Sequence, residues 1–264
     1  MIWPVSIGTL PKVGAPAKLV TIPISHYCEK ARWALDRCGV AFVEHAHMQG
    51  VHGFVARRAG GGVTAPVLVS SDGVFTESAQ IVDYADAYAP DQRRLYSTDR
   101  AVAAETRALE HDFDERLGPE SRLWMYNGMR GQRGLILKYG TAGVPAWERR
   151  MLPLALGAMT RLIDRVLDVS PENAEVSAKV VRETFDSVAE RLSDGRPYLM
   201  GGQFSAADIT FSALAAAVLV PPEYAVRLPQ PDELPPRMAV FVSECRAHPA
   251  GAHAMKMFRD ERHA

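Results

Sequence analysis

The chain has 264 residues, 47% of them hydrophobic and 23% charged, a composition that excludes a disordered or fibrous protein. Thirty basic against 31 acidic side chains leave a formal net charge of −1, so no global field recruits nucleic acid or a membrane surface. Three cysteines, Cys28, Cys38 and Cys245, exclude a disulfide scaffold and point to a reducing, cytoplasmic compartment. In chain order, the Met-Ile-Trp start lacks the ordered basic and apolar regions of a signal peptide. Residues 18–24 read as a β-branched strand, followed by a helix with apolar positions at Tyr27, Ala31, Ala34, Leu35 and Cys38 that Gly39 ends. Residues 40–43 resume a short strand, and 44–49 are polar. Three glycines at 60–62 precede a strand at 66–70, an Asp-Gly turn and a strand at 74–76, a hairpin pattern. Ser78 opens a helix that Pro90 closes.

Beyond Asp91 the pattern is helical: residues 99–117, 147–169, 171–192 and 205–220 carry helical spacing, and 122–139 read as a helix broken by glycines. The apolar run at 209–220 falls short of the ~20 residues of a membrane span and reads as a core helix. Pro221, Pro222 and the prolines at 229–236 mark a loop. The division is therefore an α/β domain over 1–90, a linker over 91–97 and an all-helical domain over 98–264.

Several short motifs carry chemistry. The first strand feeds Ser25-His26-Tyr27-Cys28, and Thr64-Ala65-Pro66-Val67-Leu68 follows about 35 residues later. After the hairpin comes Thr76-Glu77-Ser78-Ala79-Gln80-Ile81, and in the second half Gly202-Gln203-Phe204-Ser205-Ala206-Ala207-Asp208. In this order and spacing the four resemble the glutathione transferase family, in the serine-type form where Ser25 takes the place of the first cysteine of a redox motif. The resemblance implies a thioredoxin-like N-terminal domain, a mixed four-stranded sheet with helices, followed by a helical-bundle C-terminal domain. It implies a homodimer, glutathione or another small thiol as co-substrate, an electrophilic small molecule as second substrate, and a role in detoxification without metal.

The residue types suit that chemistry. A thiol of pKa about 8.5 is only about 3% thiolate at pH 7, and the thiolate is the nucleophile. A hydroxyl at a helix N-terminus, as Ser25 is placed, donates to the sulfur and stabilises its charge; the bland alternative is a simple N-cap. Tyr27 is the second choice for that donor, and His26 is expected at the surface or capping the helix. Cys28 shares the inward face, which makes an inert core thiol the expectation and a monothiol redox protein using Cys28 the alternative. By the resemblance, Pro66 is a cis proline that turns the Ala65 backbone toward the cysteinyl part of glutathione. Ser78 at a helix start suits a carboxylate and Glu77 an ammonium, as in a γ-glutamyl group.

Ser205 and Asp208 form a capping box, with Phe204 and Ile209 in position for a hydrophobic staple. The resemblance sets the second substrate between the two halves, with Tyr27, Trp124, Tyr126 and Met129 as candidates. His45, His47 and His52 have no convincing ligand spacing, so no metal is expected. The arginine pairs at 57–58, 93–94 and 149–150 read as solvated faces. A non-catalytic relative that keeps the fold as a binding or regulatory module is the other functional class.

Overall fold

The computed structural model describes residues 16–264; the start of the chain, with the leader expectation above, lies outside them. Strand β1 (Ala17–Thr21) leads into helix α1 (His26–Arg37), β2 (Phe42–Ala46), α2 (Val51–Arg58), β3 (Val67–Ser70), β4 (Gly73–Phe75) and α3 (Ser78–Tyr88). The four strands form one mixed sheet in the order β2-β1-β3-β4, with β1 and β2 parallel and β3 antiparallel to both β1 and β4. The β3–β4 hairpin turns through Asp72 and Gly73, whose φ of +140° suits glycine alone. Gly39, at φ +71°, follows the end of α1 as the sequence pattern requires.

The structure shows two local differences from the sequence expectation. Strand β2 runs Phe42–Ala46 instead of 40–43, because it pairs with β1 from Ala17↔Phe42 to Thr21↔Ala46. As an edge strand it tolerates the polar Glu44 and His45, and Glu44 accepts from Arg32 Nη2 at 2.7 Å. Helix α2 is absent from the sequence expectation, and Ala56 is its single buried residue.

Every later element is helical: α4 (Arg100–Asp112), α5 (Gly118–Gly128), α6 (Arg133–Tyr139), α7 (Ala146–Val166), α8 (Pro171–Arg191), α9 (Ala206–Leu219), α10 (Pro236–Ala247) and α11 (Pro249–Glu261). A π-helical turn over Phe113–Leu117 joins α4 to α5, and the glycine-broken segment is the α5–α6 pair. Helix α9 is buried almost all round, and its start carries the Ser205–Asp208 capping box, with Asp208 Oδ2 accepting from Ser205 N at 3.0 Å and Ser205 Oγ at 2.7 Å. Around it, α1, α3, α10 and α11 close one continuous core that includes Trp33, Leu68, Ile81, Ile209 and Phe258. No helix among the described residues is long and apolar enough to cross a membrane.

Candidate active site at the carboxyl ends of the strands

Strands β1, β2 and β4 all run toward one end of the sheet, and β3 begins there. Continuing the register Val20↔Val67 beyond β1 sets the Ala65–Pro66 peptide beside the chain leaving β1, and continuing Leu68↔Phe75 sets it beside Glu77. The N-termini of α1 and α3, which pack on each other, therefore open at the same end, where carboxyl ends of strands and helix N-termini favour a ligand with negative charge.

Ser25 is the N-cap of α1, half-exposed, with extended backbone at φ −74°, ψ 122°. Its Oγ accepts from Cys28 N at 3.4 Å, the long limit of a hydrogen bond, and its hydroxyl also faces the Cys28 thiol, an interaction that favours the thiolate but is outweighed by burial. Cys28 is fully buried and its Sγ accepts from Ile22 N at 3.4 Å; burial pushes the thiol pKa up. Cys38 and Cys245 are also buried and pushed up to about 12.

The Ala65–Pro66 bond is cis. Ala65 is half-exposed and precedes β3, so its amide and carbonyl stand outside the ladder. Glu77, not Ser78, is the N-cap of α3: Gln80 Oε1 accepts from Glu77 N at 3.3 Å and from Thr76 N at 3.0 Å, and the two form a capping box. Ser78 occupies the first helical position and is largely buried, while Glu77 is exposed.

A cavity of about 240 Å³ adjoins this end, bounded by Ile22, Ile24 and His26 on the sheet side and by Met125, Tyr126, Met129 and Met238 on the helical side. Ser25, half-exposed, stands between two of these residues in sequence but is not itself among those that bound the cavity. Tyr126 and Met129 are thus brought to the cavity, and the Tyr126 hydroxyl donates to Gln49 Oε1 at 2.7 Å.

Tyr27 and Trp124 do not line it. The Tyr27 hydroxyl donates to the Asp114 carbonyl at 2.8 Å, and its ring seats against Gly118, where any Cβ would overlap it. Trp124 packs on Phe241 with ring centroids 4.6 Å apart, bridging two parts of the core. His26 is buried instead of exposed: Nε2 meets the Gly118 carbonyl at 3.1 Å, and burial, aided by the Arg122 charge, pushes its pKa down to about 3. A neutral ring donating through Nε2 fits both facts. The π turn is what presents the Asp114 and Gly118 carbonyls to α1.

Sequence reasoning missed the far wall, formed by Leu152, Met159 and Ile163 of α7 and by Tyr224 and Leu228 of the proline-rich loop. The α7 residues recur at helical spacing, a signal present in the sequence but readable equally as core. Arg122 was also missed; it is half-buried, its Nε has no partner among the described residues, and its guanidinium lies 5.9 Å from the Tyr27 ring centre. His47 Nδ1 pairs with Glu148 at 2.6 Å, and no cluster of metal-ligating residues occurs among the described residues.

An α/β unit with a cis proline facing a helix start, followed by helices that wall an apolar cavity, is the architecture of a thioredoxin-like domain fused to a helical bundle. Residues 19–93 match the family model of the glutathione S-transferase N-terminal domain, and the chain as a whole has the glutathione transferase fold. A glutathione transferase of Phanerochaete chrysosporium is 16% identical, with 92% of this chain and 96% of that one covered and a TM-score of 0.60. One from Xanthobacter autotrophicus is 15% identical over 92% and 93% of the two chains, TM-score 0.58. A theta-class enzyme of Xanthomonas axonopodis pv. citri, solved with glutathione bound, is 20% identical over 90% and 96%, TM-score 0.50. No curated protein matches the sequence.

Proposed function

We propose that the chain is a glutathione transferase-like enzyme that holds a small thiol, glutathione first among them, as its thiolate for attack on an electrophilic small molecule. The observation that carries this reading is the half-exposed Ser25 hydroxyl at the start of α1, between the cavity-lining Ile24 and His26 and at the end of the sheet that holds the cis Ala65–Pro66 peptide. The sulfur would sit against Ser25 and the first N–H groups of α1, whose dipole favours the anion. Ala65 offers its amide and carbonyl to the cysteinyl backbone, and the start of α3 with Ser78 and Glu77 takes the γ-glutamyl carboxylate and ammonium. In the reaction with an activated aryl halide the C–S bond forms as the C–halogen bond breaks, halide leaves, and the thiol proton passes to solvent.

A redox role for Cys28 is disfavoured, because the thiol is enclosed and its pKa is raised. The proposed working unit is a cytoplasmic homodimer, each chain divided into domains at 1–90 and 98–264 with a linker over 91–97. The exposed Val74 and the Phe75, Tyr84 and Tyr88 ring series on α3 and β4 support a protein-covered face on the α/β domain. Calorimetric titration with glutathione, followed by an assay against an activated aryl halide, tests the enzyme. Binding with turnover is expected; binding without turnover supports a non-catalytic module, and no binding removes glutathione as the thiol.

A further inference from the structure

Helix α7 faces two environments. Its inner side sends Leu152, Met159 and Ile163 to the cavity, and Glu148 there is fully buried, held by His47 Nδ1 at 2.6 Å and by Met48 N at 2.7 Å. The outer side should be polar on a soluble helix. Instead Trp147, Met151, Leu154 and Leu162 recur there at helical spacing, with Val166 at the edge, and they are 55, 48, 80, 60 and 69% exposed. Contiguous exposed apolar surface on one element marks a place where something else binds.

Charge selects the partner. Arg150, Arg161 and Arg165 run along one flank of the stripe, all exposed, and none makes an ion pair among the described residues. Arg149 on the same helix and Arg57, Arg58, Arg100 and Arg237 elsewhere are likewise exposed without an ion pair among the described residues, whereas Arg107, Arg182, Arg191 and Arg196 each meet a carboxylate within 2.7 Å; what distinguishes the three of α7 is that they border an exposed apolar stripe. The two acids of α7 offer no compensation: Glu148 is enclosed, and Asp164 is half-buried and pairs with Arg130 at 3.4 Å. A protein with net charge −1 thus carries one apolar face flanked by three free cations. Pairing that face with its own copy about a two-fold axis would bring the arginine flanks together as they lose water, a like-charge contact that disfavours association.

We propose that the outer face of α7 docks the protein on an anionic lipid bilayer. The 21-residue helix lies flat in the interface, Trp147, Leu154 and Leu162 enter the headgroup–acyl boundary, and the three arginines meet lipid phosphates. Because the cavity lies behind the same helix, docking holds it against the bilayer, where apolar molecules concentrate; that consequence rests on the function proposed above, whereas the docking itself does not.

Flotation of the full chain with phosphatidylcholine vesicles containing about a third phosphatidylglycerol, at about 0.1 M salt, tests the surface independently of any turnover. The wild type should float with these vesicles and not with pure phosphatidylcholine, and Trp147 emission should shift to the blue, a change absent in Trp147→Phe. Leu154→Glu with Leu162→Glu should lower the partition coefficient at least about tenfold. Arg150→Glu, Arg161→Glu and Arg165→Glu together should remove the preference for anionic lipid. All these side chains are exposed, so circular dichroism and melting should match the wild type. A wild type that does not float overturns the proposal, as does equal flotation of the leucine variant. A dimer that the leucine variant splits in light scattering, without vesicle binding, would assign the face to a second copy.

Discussion

Replacing Ser25 by alanine separates ionisation of the thiol from its positioning. The structural loss is small: the Cys28 N to Ser25 Oγ contact is 3.4 Å, so its removal costs about 0.5 kcal/mol, the low end for an N-cap. The kinetic effect follows from thiolate arithmetic. If the site lowers the thiol pKa by about 1.5 from about 8.5, thiolate at pH 7 rises from about 3% to about half, a gain of about sixteenfold. Nucleophilicity falls with basicity, and a Brønsted slope of about 0.4–0.5 returns a factor of about four to six. At saturating glutathione Ser25→Ala should therefore conjugate about threefold more slowly than wild type at pH 7. As pH rises the variant ionises unaided while keeping its more basic sulfur, and the two profiles should cross near about pH 8. Initial rates with an activated aryl halide across the neutral and alkaline range, with ultraviolet absorbance of the bound thiolate, give both quantities. Cys28→Ala should retain the wild-type profile. A Ser25→Ala profile parallel to wild type at every pH would refute the ionisation argument and make the hydroxyl a positioning group.

His26 has a folded pKa of about 3 against about 6.5 unfolded, so between these values the unfolded chain binds more protons and stability falls as pH falls. Urea melts at pH 7 and pH 5 should show His26→Gln losing about 2 kcal/mol less than wild type over that interval; equal losses would mean that the ring takes up its proton without unfolding. Gly118→Ala puts a methyl group into the Tyr27 ring, so it should destabilise by about 1–3 kcal/mol in the same melts, and an unchanged midpoint would contradict the close approach. Glu148→Ala leaves the Met48 amide without its acceptor and frees the start of α7. Stability should drop by about 1–3 kcal/mol, and limited proteolysis near 140–146 should accelerate; cleavage at the wild-type rate would show that other contacts hold the helix.

The elements legible in the sequence were those whose local chemistry agrees with their tertiary setting. Gly39 after α1, the Asp72–Gly73 turn and the Ser205–Asp208 capping box each do locally what the fold requires, and the structure has all three. Helices α10 and α11 were not anticipated because the prolines at 229–236 read as loop; Pro236 and Pro249 are in fact first-turn prolines, which suit a helix start. At the site, three of the local motifs place Ser25, Pro66, Glu77 and Ser78 at one end of the sheet because strand register brings them there. Register could not say that Tyr27 turns to Asp114 or that Trp124 turns to Phe241, since both depend on how the helical half crosses α1. The α7 wall was hidden for a related reason: its Leu and Met residues face a cavity on one side and solvent on the other, and periodicity alone does not distinguish them.

That crossing is set by charge as well as by packing. Glu29 and Lys30, consecutive on α1, are both fully buried and point to opposite neighbours. Glu29 meets Arg32 at 3.3 Å and Arg262, beyond α11, at 2.6 Å, and accepts from Ala225 N at 3.3 Å. Lys30 meets Glu110 at 2.9 Å and Asp114 of the π turn at 2.6 Å. Buried pairs of this kind add little net stability over apolar packing, but breaking one strands a charge at about 3–5 kcal/mol. They therefore make the rotation of α1 discrete. With Cα atoms about 2.3 Å from the helix axis, a turn of about 20° moves the first residues by about 0.8 Å, and more at the side-chain tips. A reacting atom misplaced by about 1 Å can lose about a hundredfold in rate. Ser25 begins this helix and its carbonyl accepts from Glu29 N at 2.9 Å, so the residue that anchors the far helices is hydrogen-bonded to the residue that would hold the sulfur. Apolar residues at 29 and 30 could restore the stability of the interface without restoring that angle.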